Sequence, residues 1–345
     1  MGFFNFLTKE IAIDLGTANT LIIYNDEIVV DSPSIVARDL RTGKLIAVGK
    51  EAALMQGKTH EGIETIRPLK DGVIADFEAA ELMIQEFIRQ IPSFKRRWFS
   101  LFSPKLKMVI CIPSGITEVE KRAVRDSAEK VNASEVHLIH EPVAAAIGMG
   151  IDIQKPQGNM IIDIGGGTTE IAVIALNGIA VKKSVKIAGD VFNADIISYM
   201  RNKHNLLIGE RMAEMIKIET GSAVDELTNP PEPFNVQGRD LITGKPKQVT
   251  ITYHEVAKAL DKSITRITDA IIETLSVTPP ELSADIYRSG LYLAGGGSLL
   301  RGLDKRISDT TELPVHIAED PLRAVIRGTG IVSKDFNKYK SVLLR

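Results

Sequence analysis

Two short segments of this chain carry residue types that hold phosphate. Ile13-Asp14-Leu15-Gly16-Thr17-Ala18-Asn19-Thr20 and Ile162-Asp163-Ile164-Gly165-Gly166-Gly167-Thr168-Thr169 lie nearly half the chain apart. They match at Ile13 and Ile162, Asp14 and Asp163, Gly16 and Gly165, and Thr20 and Thr169. In a tight turn, glycine lets the backbone approach a ligand closely, and threonine adds a hydroxyl donor without a competing charge. The aspartates ahead of each turn cannot ligate phosphate, but they suit a hydrated Mg²⁺, which keeps several waters and bridges to phosphate oxygens. Taken singly, either turn reads as a tight hairpin with a solvated carboxylate. Taken as a pair, they point to phosphate.

A third glycine-rich turn, Gly295-Gly296-Gly297-Ser298, follows the apolar run Leu291–Ala294. It lacks the Lys-Ser/Thr of a P-loop and the spacing of G-x-G-x-x-G. It therefore reads either as close strand–helix packing or as a contact to a nucleotide's sugar or α-phosphate. Glu210, Glu214 and Lys217 fall on one helix face by spacing, which is a solvated ion-pair face unless a ligand lies beside it. The six histidines form no H-E-x-x-H, and His137 and His140 have no cysteine near them, so zinc is not expected. No G-x-S-x-G is present, and the single cysteine, Cys111, sits within an apolar strand as a core thiol.

The elements that must position these groups alternate. Ile11–Ile13 and Leu21–Tyr24 flank the first turn as a hairpin. Lys107–Pro113 reads as a strand buried on both faces. Thr117 and Glu120 form a capping box for a helix to Lys130. Val136–Ile139 is a strand, and Pro142 opens a helix to Gly148. Val256, Leu260, Ile264, Ile267, Ile271 and Leu275 recur at helical spacing. Asp225–Lys247, rich in Pro and Gly, reads as the loops and edge strands of a smaller inserted subdomain. Strand–helix alternation predicts an α/β fold, and the internal echo predicts a duplicated domain with a cleft between the copies. The length suits about two domains. With 42 basic against 44 acidic residues, a general nucleic-acid binder is not expected. The chain has neither a long uncharged apolar run nor a signal-peptide pattern, and one cysteine fits a reducing cytosol, so a cytoplasmic protein is expected.

Ser93–Lys107 interleaves Lys95, Arg96, Arg97, Lys105 and Lys107 with Phe94, Trp98, Phe99, Leu101 and Phe102. That pattern suits single-stranded nucleic acid, a membrane interface, or a loop tucked into the core. A second apolar cluster near the N-terminus, Phe3, Phe4, Phe6 and Leu7, tips the reading to membrane contact by Phe3, Phe4, Trp98, Phe99, Leu101 and Phe102.

The two Asp-Gly/Thr turns, Gly209-Glu210-Arg211 and Leu293-Ala294-Gly295-Gly296-Gly297-Ser298 resemble the actin-like ATPase superfamily. Arg67–Phe77, Ile112–Glu120, Glu141–Gly148 and Ala318–Leu322 extend the resemblance almost end to end, to its MreB family of bacterial rod-shape proteins. Val143 stands where that family usually has Met, and Asn193 where it usually has an acidic residue. The resemblance implies duplicated ribonuclease-H-like halves with a nucleotide cleft between them. The first half would be residues 1–147 with 315–345 and an insertion near 34–67; the second would be 148–314 with an insertion near 187–247. It also implies an ATPase with ATP and Mg²⁺ as cofactors, polymerising into membrane-associated filaments that direct cell-wall elongation. Its expected partners are further copies of itself, the inner face of the cytoplasmic membrane and elongation proteins. By that resemblance Ala18, Asn19 and Thr20 hold the terminal phosphates from one side, and Gly165, Gly166, Gly167 and Thr168 from the other. Glu210, Arg211, Met212, Ala213, Glu214 and Lys217 bound the adenosine, and Gly295, Gly296, Gly297 and Ser298 lie under the α-phosphate and sugar. Glu141 orients the attacking water, with Thr168 assisting. A small-molecule kinase on the same fold would need a substrate pocket with a base, for which there is no candidate. A chaperone-type ATPase would need a further domain, where only about 15 residues follow Gly330.

Overall fold

The computed structural model describes residues 8–92, 105–131 and 133–344. They fall into two units, Met1–Lys155 with Leu176–Ile179 and Arg323–Arg345, and Pro156–Ala175 with Ala180–Leu322.

In the first unit, β1 (Thr8–Leu15), β2 (Asn19–Tyr24) and β3 (Glu27–Pro33) form an antiparallel meander. A small three-stranded sheet follows, built from β4 (Val36–Asp39), β5 (Leu45–Val48) and, beyond helix α1 (Lys50–Met55), β6 (Ile63–Ile66). A two-stranded ribbon, β7 (Leu69–Lys70) and β8 (Val73–Ile74), leads into α2 (Phe77–Gln90). The chain then returns as β9 (Lys105–Ile112), α3 (Glu118–Lys130), β10 (Ala133–His140) and α4 (Glu141–Gly148). β9 joins β1 in parallel and β10 joins β9 in parallel, giving the order β10-β9-β1-β2-β3. Met108–Ile112 do not alternate in polarity because helices cover both faces, and all five are at most 2% exposed. The capping box at Thr117 and Glu120 is present. A C-terminal helix, Ala324–Lys334, crosses α4 so closely that glycine is obligatory. A Cβ on Gly148 would lie 1.9 Å from the Ala324 carbonyl, and one on Gly328 would lie 1.8 Å from that of Ala144.

In the second unit, β11 (Asn159–Ile164), β12 (Thr169–Ala175) and β13 (Gly178–Val185) lead directly into α5 (Gly189–His204). Next come β14 (Leu206–Leu207), α6 (Glu210–Thr220), β15 (Phe234–Asp240) and β16 (Pro246–Ile251), whose three strands form a second small sheet. α7 (Tyr253–Ser276), α8 (Pro280–Ser289), β17 (Leu291–Ala294), a 3-10 turn at Gly296–Leu299, α9 (Leu303–Thr311) and β18 (Val315–Ile317) complete it. The order β13-β12-β11-β17-β18 repeats that of the first sheet: β12 is antiparallel to β11, while β17 and β18 are parallel to it. Because β18 pairs with β17, residues 315–322 belong with this sheet and not with the first half, where the resemblance placed them. The apolar stripe of α7 is buried at Val256, Leu260, Ile264, Ile267 and Ile271, as its spacing predicts. Val236 and Ile251 of the second small sheet share this core, just as Val36 and Val48 of the first small sheet share the main core of the first unit, beside a smaller cluster of Ile35, Ala37 and Ala52.

The small sheets carry a second echo. Arg38-Asp39-Leu40-Arg41-Thr42-Gly43-Lys44 joins β4 to β5, and Arg239-Asp240-Leu241-Ile242-Thr243-Gly244-Lys245 joins β15 to β16. In each, one aspartate oxygen accepts from the Thr N–H at 2.7 Å and from its hydroxyl, and the glycine takes a positive φ. The Thr243 N–H and the Lys247 ammonium hold the Asp240 carboxyl well below the usual carboxylate range.

Candidate functional site

The first turn is braced by side chains. Ser34, buried just beyond β3, donates its hydroxyl proton to the Gly16 carbonyl at 2.6 Å. With that proton committed, Thr20 is the donor in the 2.8 Å Thr20 Oγ1–Ser34 Oγ contact. The Ser34 N–H donates to the Ala18 carbonyl at 2.9 Å, and the Gly72 N–H to Thr17 Oγ1 at 3.0 Å. A Cβ on Gly16 would lie 2.7 Å from the Asn19 carbonyl. Thr20 is fully buried with its hydroxyl on Ser34, so its side chain braces the turn. Ala18 is half-buried and Asn19 exposed.

Asp14 lies beside Leu15 near the end of β1, and burial pushes its carboxyl up to about 6. Cys111, in register with Asp14 on β9, donates its thiol to Asp14 Oδ1 at 3.2 Å and to the Ile13 carbonyl at 3.3 Å. Burial, reinforced by the charges of Asp14 and Glu141, raises that thiol well above its ordinary value. The expected core thiol is therefore also a hydrogen-bond donor to a site carboxylate. Glu141 opens α4 directly after β10, with Pro142 in its first turn.

The second turn is braced by backbone. The Gly165 N–H donates to the Thr168 carbonyl at 2.9 Å and closes it. The Gly189 and Asp190 N–H groups, at the start of α5, donate to the Gly165 and Gly166 carbonyls at 3.1 and 2.8 Å. In a trans peptide the N–H points opposite to the preceding carbonyl, so the N–H groups of Gly166 and Gly167 are directed away from α5. The buried Thr169 hydroxyl donates to the Ile187 carbonyl at 2.6 Å.

The third turn packs onto the end of β11. A Cβ on Gly295, at φ +78°, would lie 2.3 Å from the Ile164 carbonyl and 2.4 Å from Asp163 Oδ1. One on Gly297 would lie 2.2 Å from Ile164 Cγ2. Ser298 is buried and donates its hydroxyl to the Gly295 carbonyl at 2.6 Å, so its side chain locks the turn. Gly165, Asp163 and Gly295 are thus brought together within this unit. On α6, Glu210 and Arg211 are exposed, Met212 packs against the core and Ala213 is buried within it. Glu214 Oε2 accepts from Lys217 Nζ at 2.8 Å and from Asn193 Nδ2 at 2.7 Å, and Lys217 Nζ donates again to the Gly189 carbonyl at 3.1 Å. Ser34, Gly72, Gly189 and Asn193 were not singled out by sequence as contacts of these turns. A hydroxyl just after the third strand is the signal that would have found Ser34.

Among the described residues, no three His, Cys, Asp or Glu side chains gather as a metal site. Each unit by itself offers one carboxylate ahead of its turn, Asp14 in the first and Asp163 in the second, and a lone carboxylate suits a hydrated cation rather than a protein cage. No described helix is long and apolar enough to cross a membrane. Phe3, Phe4, Trp98, Phe99, Leu101 and Phe102 lie outside the described residues.

Comparison with known proteins decides the family. The model of the MreB/Mbl protein family matches residues 8–341. The cell shape-determining protein Mbl of Bacillus subtilis is 45% identical, covering 96% of this chain and 97% of that protein. The cell shape-determining protein MreB of Escherichia coli is 46% identical over 94% of this chain and 92% of its own length. The chain belongs to the MreB/Mbl family. A crystal structure of Spiroplasma citri MreB5 bound to AMPPNP, 40% identical, superposes with a TM-score of 0.89 over 96% of this MreB/Mbl chain and 97% of its own. The MamK double helical filament, at 20% identity and a TM-score of 0.77, shares the fold over 95% of the chain and 99% of its own. The fold is therefore actin-like, as the motifs implied.

Proposed function

We propose that this chain binds ATP with Mg²⁺, hydrolyses it, and polymerises into filaments that direct cell-wall elongation and rod shape from the inner face of the cytoplasmic membrane. The observation that carries the reading is the recurrence, in both units, of one turn at one place. Each turn follows an aspartate at the end of the first strand, and each is tied to the segment leaving the third strand. Family membership and the AMPPNP-bound Spiroplasma relative support the choice of ligand. The MamK filament supports self-assembly at the level of the fold.

In this reading Ala18, Asn19 and Thr20 offer the first turn to the terminal phosphates, and Gly165, Gly166, Gly167 and Thr168 offer the second. Asp14 and Asp163 would hold hydrated Mg²⁺, which would supply positive charge against the phosphates. Glu210, Arg211, Glu214 and Lys217 take the adenosine, and Gly295–Ser298 the α-phosphate and sugar. Glu141, at the start of α4, orients the attacking water, with Thr168 beside the same phosphate. Elongation proteins of the membrane are the expected further partners.

Glu141→Ala is expected to keep ATP affinity while phosphate release falls on the order of 10²-fold, the usual cost of losing a general-base or orienting group. Its filaments, followed by pelleting and light scattering, should persist longer than wild type. Wild-type phosphate release would remove Glu141 from the mechanism. Phosphotransfer to small metabolites in place of ATP-dependent pelleting would favour a kinase. For the membrane reading, Trp98→Ser/Phe99→Ser and a chain lacking residues 2–7 should polymerise but sediment poorly with anionic liposomes.

A further inference from the structure

Asn193 is buried in the second turn of α5. Its amide donates to Glu214 Oε2 at 2.7 Å, while its Oδ1 is buried without a hydrogen-bond partner. The amide cannot be turned over, because Oδ1 would then face a carboxylate that only accepts. Lys217 donates to the same Oε2 at 2.8 Å and is itself fixed by the Gly189 carbonyl at 3.1 Å. Both donors therefore converge on one oxygen of Glu214. Among the described residues, Oε1 takes no hydrogen bond, and the Glu214 side chain is 45% exposed. A carboxylate held this way has one oxygen anchored and one presented to a hydroxyl. The anchor also links the sugar-facing helix α6 to the second turn, since the Gly189 N–H donates to the Gly165 carbonyl.

We propose that Asn193 is a positioning residue that, through Glu214, makes this chain prefer ribonucleotides to 2′-deoxyribonucleotides. The inference rests on the reading that Glu214 faces the adenosine. A ribose hydroxyl is the neutral donor that the free Oε1 can accept, and a deoxyribose leaves that oxygen without it. An acidic residue at 193 would confront Glu214 with a second acceptor and leave Lys217 to serve both. Asparagine instead supplies a fixed donor whose charge does not change with pH.

The test is the ratio of affinities for ATP and 2′-deoxy-ATP, measured by calorimetry with Mg²⁺ on the full chain. Wild type is expected to favour ATP by about 10- to 100-fold, the range for one hydrogen bond to a charged group. Asn193→Leu keeps the branching at Cγ and removes the donor. It should bring the ratio to within about threefold of unity, chiefly by weakening ATP. Asn193→Ser serves if the leucine variant melts early, and thermal melts of both are recorded alongside. Glu214→Ala separates the two layers of the argument. If it abolishes the preference while folded Asn193 variants keep the wild-type ratio, Asn193 does not position the carboxylate and the inference is overturned. If wild type and Glu214→Ala bind both nucleotides alike, Glu214 does not meet the sugar, and the reading beneath the inference fails with it.

Discussion

The two glycine–threonine turns occupy the same place in sheets of the same strand order, yet different materials hold them. Thr20 and Thr169 do one job: each buried hydroxyl reaches back to the segment leaving the third strand, at Ser34 and at the Ile187 carbonyl. The glycine carbonyls part company. Gly16 is held by the side chain of Ser34, while Gly165 and Gly166 are held by the first N–H groups of α5. The cause is the route of the chain. After β3 it enters the small sheet of β4–β6, so no helix N-terminus is at hand; after β13 it enters α5 directly. A backbone brace survives any side-chain change, and a side-chain brace does not. The first turn is therefore the one that substitution can loosen.

The largest effect should separate the aligned glycines themselves. A methyl on Gly16 meets the Asn19 carbonyl at 2.7 Å, whereas one on Gly165 meets only the Thr168 carbonyl at 3.4 Å. Gly16→Ala is expected to cost about 3 kcal/mol, the upper part of the usual overpacking range, and Gly165→Ala less than about 1 kcal/mol. Urea unfolding of the two variants checks this. Equal losses would mean that the turns are equally tight and that the contrast is false.

Next comes the brace. Ser34→Ala strips a buried hydroxyl from both the Gly16 carbonyl and the Thr20 hydroxyl and should cost about 2 kcal/mol. Thr169→Val leaves a single carbonyl, that of Ile187, without its partner and should cost about 1 kcal/mol. The sharper readout is nucleotide affinity, which should fall in Ser34→Ala and stay near wild type in Thr169→Val, where α5 still holds the glycines.

What sequence made legible was local. The strands beside each turn, the Thr117 capping box, the α7 stripe and the echo of Asp14 and Asp163 are short-range patterns, and the structure contains them. The braces were not legible, because they join residues far apart in sequence: Thr17 with Gly72, Cys111 with Asp14, Asn193 with Glu214. Burial turned two hydroxyls inward for the same reason. Thr20 and Ser298 carry the right chemistry for a ligand, but their hydroxyls serve the turn from inside. The edge position of β18 likewise depends on pairing with β17, which three residues of sequence do not announce. The Arg-Asp-Leu-x-Thr-Gly-Lys echo of the small sheets is the opposite case, since comparing the chain with itself is enough to find it.

The smallest expected effect bears on why an aspartate sits ahead of the first turn at all. Burial raises the Asp14 carboxyl from 3.8 to about 6, and the hydrogen bond from the Cys111 thiol offsets only part of that rise. Between those values the folded chain binds more protons than the unfolded chain, so stability falls as pH rises from about 4 through about 6 and is level above. Asp14→Asn can still accept from Cys111 and removes the charge, so it should remove that slope. A rise of this size corresponds to roughly 3 kcal/mol at most. Because the residue as a whole is only half-buried, about 1–2 kcal/mol of added stability at pH 7 is the reasonable expectation. Urea midpoints of the nucleotide-free chain in EDTA should therefore favour Asp14→Asn at pH 7 and converge with wild type near pH 4. Mg²⁺-dependent nucleotide binding should weaken in the same variant, because the hydrated cation loses a carboxylate anchor. A variant that is no more stable at pH 7 would mean that the carboxylate is already compensated in the free chain. The aspartate would then be a structural member of the turn rather than a charge held ready for a cation.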